Sequence, residues 1–168
     1  HVSFTANSGE ILGIAGIADS GQKELLEAIA GLQVTEAGSI CYVEQDGRRE
    51  QLIGKDPLKI QDMGVSLSFV PEDRLGMGLV GSMDLTNNMM LRSFRRGHSP
   101  FVDRSAPRKV AENVVRDLEV STPSLATPVR RLSGGNVQKV LVGREITSAP
   151  TVLLTAYAVR GLDINSSY

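Results

Sequence analysis

Two short runs of this chain combine residue types and spacings suited to holding phosphate. The first, Gly16-Ile-Ala-Asp-Ser20-Gly21-Gln22-Lys23, follows an apolar stretch and leads into an amphipathic one. Glycines let the chain bend tightly there, and the amides and dipole of a following helix attract anions. A complete phosphate loop ends in Gly-Lys-Ser/Thr, with the lysine for the β- and γ-phosphates and the hydroxyl for Mg²⁺. Here Gln22 stands in the lysine place and Lys23 in the hydroxyl place. The missing lysine charge is worth about 4 kcal/mol at contact under an effective dielectric near 20. The second run, Leu132-Ser133-Gly134-Gly135-Asn136-Val-Gln138, sets a hydroxyl and two glycine amides at a helix start. That is a compact donor cluster on a positive dipole end, suited to a phosphate group. Ser133 also reads as the cap of its own helix, worth about 1 kcal/mol, but capping does not require paired glycines, which are poor helix formers.

Hydrophobic periodicity supplies the elements that must hold these runs. Glu10 to Gly16 is a nearly continuous apolar run and predicts a strand buried on both faces of a parallel sheet. Gly21 to Leu32 places Leu25, Leu26, Ile29 and Leu32 on one helical face, with Gly31 near its end, so strand, turn and helix form the front half of a βαβ unit. Gly38–Val43 and Gln51–Ile53 flank Asp46-Gly47 and predict a peripheral antiparallel hairpin. Asp56-Pro57 opens a short helix, and Gly64 to Val70 is an apolar strand ending at Pro71. Three helices are expected from Pro71 to Ser148. One spans about Asp84 to Phe94; one is capped by Ser105, with Pro107 in its first turn and Val110, Val114, Val115 and Leu118 on one face; one follows Ser133-Gly134-Gly135 and carries Val137, Val140, Leu141, Val142 and Ile146. Thr151 to Thr155 returns to a buried strand. The expected architecture is an α/β core lobe from residues 1–71 and 149–168, with a helical subdomain, residues 72–148, inserted between them.

Composition narrows the function classes. The 168 residues suit one domain, and 18 basic against 19 acidic side chains leave no positive field for gripping a nucleic-acid backbone, so no nucleic-acid partner is expected. The single cysteine, Cys41, excludes a disulfide within the chain and a Cys-rich zinc site, and reads as a small buried hydrophobe on a strand. Hydrophobic residues make up 41% without tryptophan, which implies an aliphatic core. The apolar runs are too short to cross a bilayer and no signal-peptide pattern is present, so the chain reads as soluble. Both ends read as cut from a longer protein. His98 has no second ligand at useful spacing, so no metal site is expected. Arg92, Arg95, Arg96 and His98 read either as a solvated helix end or as a contact with a membrane subunit.

The two phosphate-suited runs, at this separation and with Arg160-Gly-Leu-Asp163 downstream, resemble the nucleotide-binding domain of ABC transporters over essentially the whole chain. Phe69-Val-Pro-Glu72-Asp-Arg74, the glutamine of Ser20-Gly21-Gln22, and Val159-Arg-Gly-Leu-Asp163 resemble more narrowly the C-terminal one of two fused ATPase domains in importers of simple sugars or nucleosides. The resemblance implies the P-loop NTPase (ABC ATPase) fold with a RecA-like α/β lobe, ATP as ligand, and a second ABC ATPase domain and transmembrane permease subunits as partners. It also implies a cytoplasmic place on the inner face of the cell membrane. In such pairs each site takes its phosphate loop from one domain and its signature motif, which Leu132 to Asn136 with Gln138 resembles here, from the other.

Thr151 to Thr155 occupies the family's Walker B place, where an Asp holds Mg²⁺ and a Glu polarises the attacking water. Ala156 and Tyr157 stand there instead, and neither coordinates a hard cation nor accepts a proton at neutral pH. Loss of a positioned base costs about a hundredfold to ten-thousandfold in rate. The resemblance therefore implies an asymmetric pair in which this chain has no catalytic residue of its own. The partner, with Mg²⁺ in its site, hydrolyses ATP against Ser133, Gly134 and Gly135. The other nucleotide-facing positions it implies are Gly16, Ser20, Gly21, Gln22, Lys23, Glu72, Gln138 and Asp163, the last at the seam between domains. Glu72 stands at the Q-loop glutamine place, with a plain solvated glutamate the other reading. Lys23 either takes over the charge of the absent Mg²⁺ or points to solvent. Two rival functions stay open: a self-sufficient homodimeric ATPase, which the missing lysine and acids oppose, and a non-catalytic scaffold or regulatory module, which the intact signature opposes.

Overall fold

The computed structural model describes residues 2–17, 20–93 and 103–157. In chain order the elements are α1 (Gln22–Ile29), β1 (Cys41–Val43), β2 (Arg49–Gln51), α2 (Pro57–Asp62), β3 (Leu67–Val70), a π-helical turn (Arg74–Gly78), α3 (Leu85–Met90), α4 (Ser105–Asp117), a 3-10 turn (Val129–Arg131), α5 (Gly134–Thr147) and β4 (Val152–Thr155). The hairpin forms as its turn chemistry predicts: Gly47 takes φ +85°, the Asp46 carboxylate accepts the Arg48 amide at 3.0 Å, and Tyr42 pairs with Glu50. Asp56 caps α2 by accepting the amides of Leu58 and Lys59, each at 3.0 Å, with Pro57 as the first helical residue. β3 runs parallel to β4, Leu67 opposite Val152 and Val70 opposite Thr155, so the long helical excursion begins and ends at neighbouring strands.

The main core lies inside that excursion. Leu85 and Met89 of α3, Ala111 and Val114 of α4, and Val137, Val140 and Leu141 of α5 are buried together with Val70 at the end of β3. α4 and α5 approach closely because Gly143 has no side chain; a Cβ there would lie 2.6 Å from a Val114 methyl. A polar knot locks the entry to α3. Buried Asn88 accepts the Val80 amide at 2.9 Å and donates to the carbonyls of Val80, Met83 and Asp84. A smaller cluster of Leu52, Ile60 and Val65 sits under the hairpin with Ile40, Tyr42 and Met63.

Several expectations need correction. Glu10 to Gly16 forms no strand, and Ile11 is 99% exposed. A strand exists only as part of a ladder, and among the described residues β3 and β4 pair with each other alone. Leu25, Leu26 and Ile29 of α1 are accordingly only half-buried, and β4 has alternating rather than full burial, with Leu153 exposed. Cys41 does lie on a strand but is exposed, because the hairpin turns that side to solvent. Ser105 is the first residue of α4 and not its cap. Asp103 does the capping work, accepting from the Ser105 amide at 2.8 Å and its hydroxyl at 2.9 Å. α3 is shorter than its apolar pattern, and Phe94 lies outside the described residues. Ile146 is exposed on α5, away from the stripe that packs on α3 and α4. Among the described residues no helix is long and apolar enough to cross a membrane.

Candidate functional site

The glycine loop before α1 is satisfied by its own atoms. The Ser20 hydroxyl lies 2.8 Å from the Ile17 carbonyl and 2.9 Å from Gln22 Oε1, and Gln22 Nε2 donates to the same carbonyl at 3.3 Å. These side chains fold over Gly16, where any Cβ would collide with Ser20 Oγ and Gln22 Nε2. Gly21 takes φ +96° at the start of α1, a conformation that a side chain would strain. Gln22 thus reaches back into the loop rather than outward as a lysine substitute. Ala18 and Asp19 lie outside the described residues. Lys23 is 61% exposed at its side chain and reaches Glu27 at 3.8 Å, one turn along α1.

Lys23 and Ala156 nevertheless share a cavity of ≈ 470 Å³ with Glu72 and Arg74, so the first turn of α1 and the ends of β3 and β4 converge. The Ala156 amide donates to the Val70 carbonyl at 2.8 Å, which extends the β3–β4 pairing to the rim. Tyr157 is exposed at the next position with φ +54°. A Mg²⁺ ion demands near-octahedral oxygen coordination. The two positions that should supply that oxygen carry an ammonium at Lys23 and a methyl at Ala156, and among the described residues no His/Cys/Asp/Glu group could hold a metal. The residues present do not fit Mg²⁺. Nor is the cleft strongly cationic, since Glu27, Glu72 and Asp73 line it beside Lys23 and Arg74.

The second run is built differently. Ser133 caps α5 with its hydroxyl oxygen, which accepts from the Asn136 amide at 3.4 Å and from Asn136 Nδ2 at 2.9 Å. Asn136 Oδ1 in turn accepts the Ser121 amide at 2.9 Å, which ties the turn to the segment after α4. Ser133 and Gly134 are exposed and Gly135 is half-buried, so the hydroxyl and first amides of α5 stand at the surface. In both bonds the Ser133 oxygen is the acceptor, which leaves its own proton available to a ligand. Gln138 does not belong with them: it is 1% exposed on the inner side of α5, and this corrects its placement among nucleotide-facing residues.

Sequence reasoning missed one contact entirely. Arg74 Nη1 donates to the Gly134 carbonyl at 2.8 Å, joining the wall of the first cleft to the second run across 60 positions of sequence, and no local signal predicts it. Arg92 also differs from its expected solvated setting. It donates to Ser68 Oγ at 2.7 Å and pairs with the buried Glu145 carboxylate at 3.1 Å. Glu145 is also paired with Arg144, whose guanidinium pKa is pushed down by burial against the opposing pull of Glu145. Asp163, Arg160, Arg95, Arg96 and His98 lie outside the described residues.

Comparisons with known proteins bear on both sites together. The profile of the ABC transporter family matches residues 1–155. The chain is 35% identical over 168 residues to the guanosine import ATP-binding protein NupO of Bacillus subtilis, covering 98% of this chain and 32% of that one. It is 37% identical to the xylose import ATP-binding protein XylG of Moorella thermoacetica, covering 99% and 32% respectively. It thus spans about a third of the length of these relatives. Among solved structures, a dimeric ATP-binding cassette in a post-hydrolysis state bound to ADP and Pi superposes with a TM-score of 0.76 at 19% identity, over 97% of this chain and 67% of that one. A nucleotide-free cassette from an ABC transporter gives 0.60 at 18% identity, over 90% and 59%. The fold is therefore that of ABC ATPase domains, and with the family profile running from residue 1 to residue 155 the chain belongs to the ABC transporter family.

Proposed function

We propose that this chain is an ATPase domain of an ABC-type importer of sugars or nucleosides, and that it completes its partner's ATP site while lacking an active site of its own. Residues 72–148 form the signature subdomain, and residues 1–71 with 149–168 form the core lobe. One contrast carries the reading. Ser133 and Gly134 stand exposed and Gly135 half-buried on a braced helix start, whereas the chain's own cleft has an ammonium and a methyl where Mg²⁺ needs oxygen. The Ser133 hydroxyl and the amides of Gly134 and Gly135 donate to the γ-phosphate of ATP held with Mg²⁺ by the partner domain. Donors preorganised in this way cost no reorganisation when charge develops, and losing one typically costs about a hundredfold to a thousandfold in turnover. Asp163 serves the contact with the partner domain, Glu72 faces the cleft of this chain, and permease subunits at the inner face of the membrane select the solute. The guanosine and xylose importers among the relatives agree with that solute class.

ATP turnover by the assembled two-domain protein tests this reading. Ser133→Arg in this domain and removal of the phosphate-loop lysine in the partner domain should each abolish hydrolysis. A self-sufficient site in this chain survives the second change, and a scaffold role survives the first.

A further inference from the structure

We infer that Arg74 is the positioning residue of the Ser133–Gly135 donor turn, holding it from the wall of the chain's own cleft. This deepens the signature role proposed above and rests on it. The root of the Arg74 side chain is fixed. Asp73 caps the π-helical turn by accepting the Gly76 amide at 2.8 Å, and the Arg74 carbonyl accepts the Leu79 amide at 2.6 Å. The far end of the same turn is pinned from the other side: Arg144 of α5 donates to the Gly78 carbonyl at 2.6 Å, and Gly78 lies so close to Leu141 that a Cβ would come within 2.8 Å of it.

Turn and helix therefore exchange arginines. The turn's first residue reaches the helix's first residue, Gly134, at 2.8 Å, and an arginine in the last turn of the helix reaches the turn's last residue. The two anchor points lie about 15 Å apart along α5, which fixes the tilt of the helix as well as its position. Gly134 gives this contact room, since a Cβ on it would sit 3.3 Å from Arg74 Nη1 and shift the guanidinium by a few tenths of an ångström. Asn136 steadies the same turn from the side of Ser121, so the donors have two lateral supports, of which Arg74 alone also faces the cleft.

Backbone order measured by ¹⁵N relaxation on the full chain tests the inference without any partner. The amides of Gly134 and Gly135 should show order parameters near the rigid value of about 0.85, and Arg74→Ala should drop them below about 0.6 while those of 140–146 stay rigid. Arg74→Lys, which keeps a donor, should restore an intermediate value. Gly134→Ala, which keeps the arginine and shifts it only by a few tenths of an ångström, should leave both amides rigid. In the assembled transporter, Arg74→Ala should lower kcat by roughly tenfold with the KM for ATP unchanged, as expected of a group acting on donor placement. In Arg74→Ala, unchanged order at Gly134 and Gly135, or loss of order spread over all of α5, overturns the inference. Its fate is separable from that of the proposed function, because the order parameters decide on Arg74 even if Ser133→Arg leaves turnover intact.

Discussion

Gly143 is where α4 and α5 meet, and replacing it with alanine opposes two effects of known size. In an exposed helix the change would stabilise by about 0.8–1.0 kcal/mol, because alanine loses less backbone freedom on folding. Here the new methyl would lie 2.6 and 3.0 Å from the two methyls of Val114 and 2.9 Å from Leu118 Cδ1. Ordinary carbon contacts are about 3.5–4.0 Å, so the overlap with Val114 is about 1 Å. Val114 is β-branched and helical, with a nearly fixed χ1, and cannot rotate both methyls clear. Overpacking of this kind costs about 1–3 kcal/mol, and Gly143→Ala should therefore destabilise the chain by a net of up to about 2 kcal/mol.

The sign should reverse once Val114 is truncated. Val114→Ala alone should cost about 2 kcal/mol through lost burial and a residual cavity. In that background Gly143→Ala fills the space, meets only the end of a half-buried Leu118 side chain, and recovers the helix-propensity gain of about 1 kcal/mol. The coupling between the two sites is then about 1–3 kcal/mol, above the roughly 0.5 kcal/mol scatter of independent sites. Urea unfolding of the four proteins, with the m-value checked for constancy, measures it. The packing argument is refuted if Gly143→Ala stabilises the parent chain, or if the two changes add. Because α5 carries Ser133 to Gly135 at its other end, the same displacement should shift the amide resonances of Gly134 and Gly135 in Gly143→Ala and return them in the double variant.

Other perturbations follow from the same contacts. Asn88→Ala orphans the Val80 amide and removes the donor to three carbonyls, and should cost about 3 kcal/mol in urea unfolding. Arg92→Ala leaves one oxygen of the buried Glu145 carboxylate without its cation and should cost about 3 kcal/mol, with part recovered by adding Glu145→Gln. Asp56 is held below its ordinary pKa of 3.8, chiefly by the Lys59 amide, as is Asp103 by the Ser105 hydroxyl and amide. A depressed folded pKa means that the unfolded chain takes up protons first. The contribution is complete above about pH 4 and is lost as pH falls through the folded value; Asp56→Asn should flatten the melting-temperature profile below that point. Cys41, being exposed, should react with a thiol reagent in the folded chain as completely as after denaturation.

What could be read from sequence was what neighbours in sequence decide. Asp56-Pro57, Asp46-Gly47 and Ser133-Gly134 carry their own hydrogen-bond partners within a few positions, and each forms the cap or turn that its chemistry implies. The apolar stripe of α5 through Val137, Val140 and Leu141 was equally legible, since helical periodicity marks a face whatever covers it. Strands were harder. Glu10 to Gly16 has an apolar run as convincing as Gly64 to Val70, yet only the latter finds a parallel partner, in β4. Periodicity reports readiness to pair and is silent on whether the pairing edge is present. Arg74 and Arg92 were illegible for the same reason, because their partners stand at Gly134 and Glu145, far along the chain. Gln138 misled in the opposite direction, since its place in a recognisable motif hid the fact that its helical position faces inward.

The two phosphate-suited runs depend on different parts of the fold, so substitutions in them should differ in what they cost the core. The loop through Ser20 and Gln22 closes on its own carbonyl at Ile17, and the apolar run before it, Glu10 to Gly16, forms no strand to hold it. Substitutions at Gln22, Lys23, Ala156 and Tyr157 touch half-buried or exposed positions and cost the core little. The Ser133 turn opens the helix whose Val137, Val140 and Leu141 form the main core, and Asn136, Ser121 and Arg74 brace it. Changing its backbone therefore costs stability as well as donors. A domain free to lose its own hydrolytic chemistry would still keep this turn so long as a neighbour's triphosphate needs it, and the packing of α5 makes its loss expensive even then. Grafting Lys, Thr, Asp and Glu at Gln22, Lys23, Ala156 and Tyr157 should consequently leave the unfolding free energy from urea titration within about 0.5 kcal/mol of the parent, whereas Ser133→Pro with Gly134→Val should lower it by more than about 2 kcal/mol. Equal costs for the two sets would show that the turn is no better anchored than the loop.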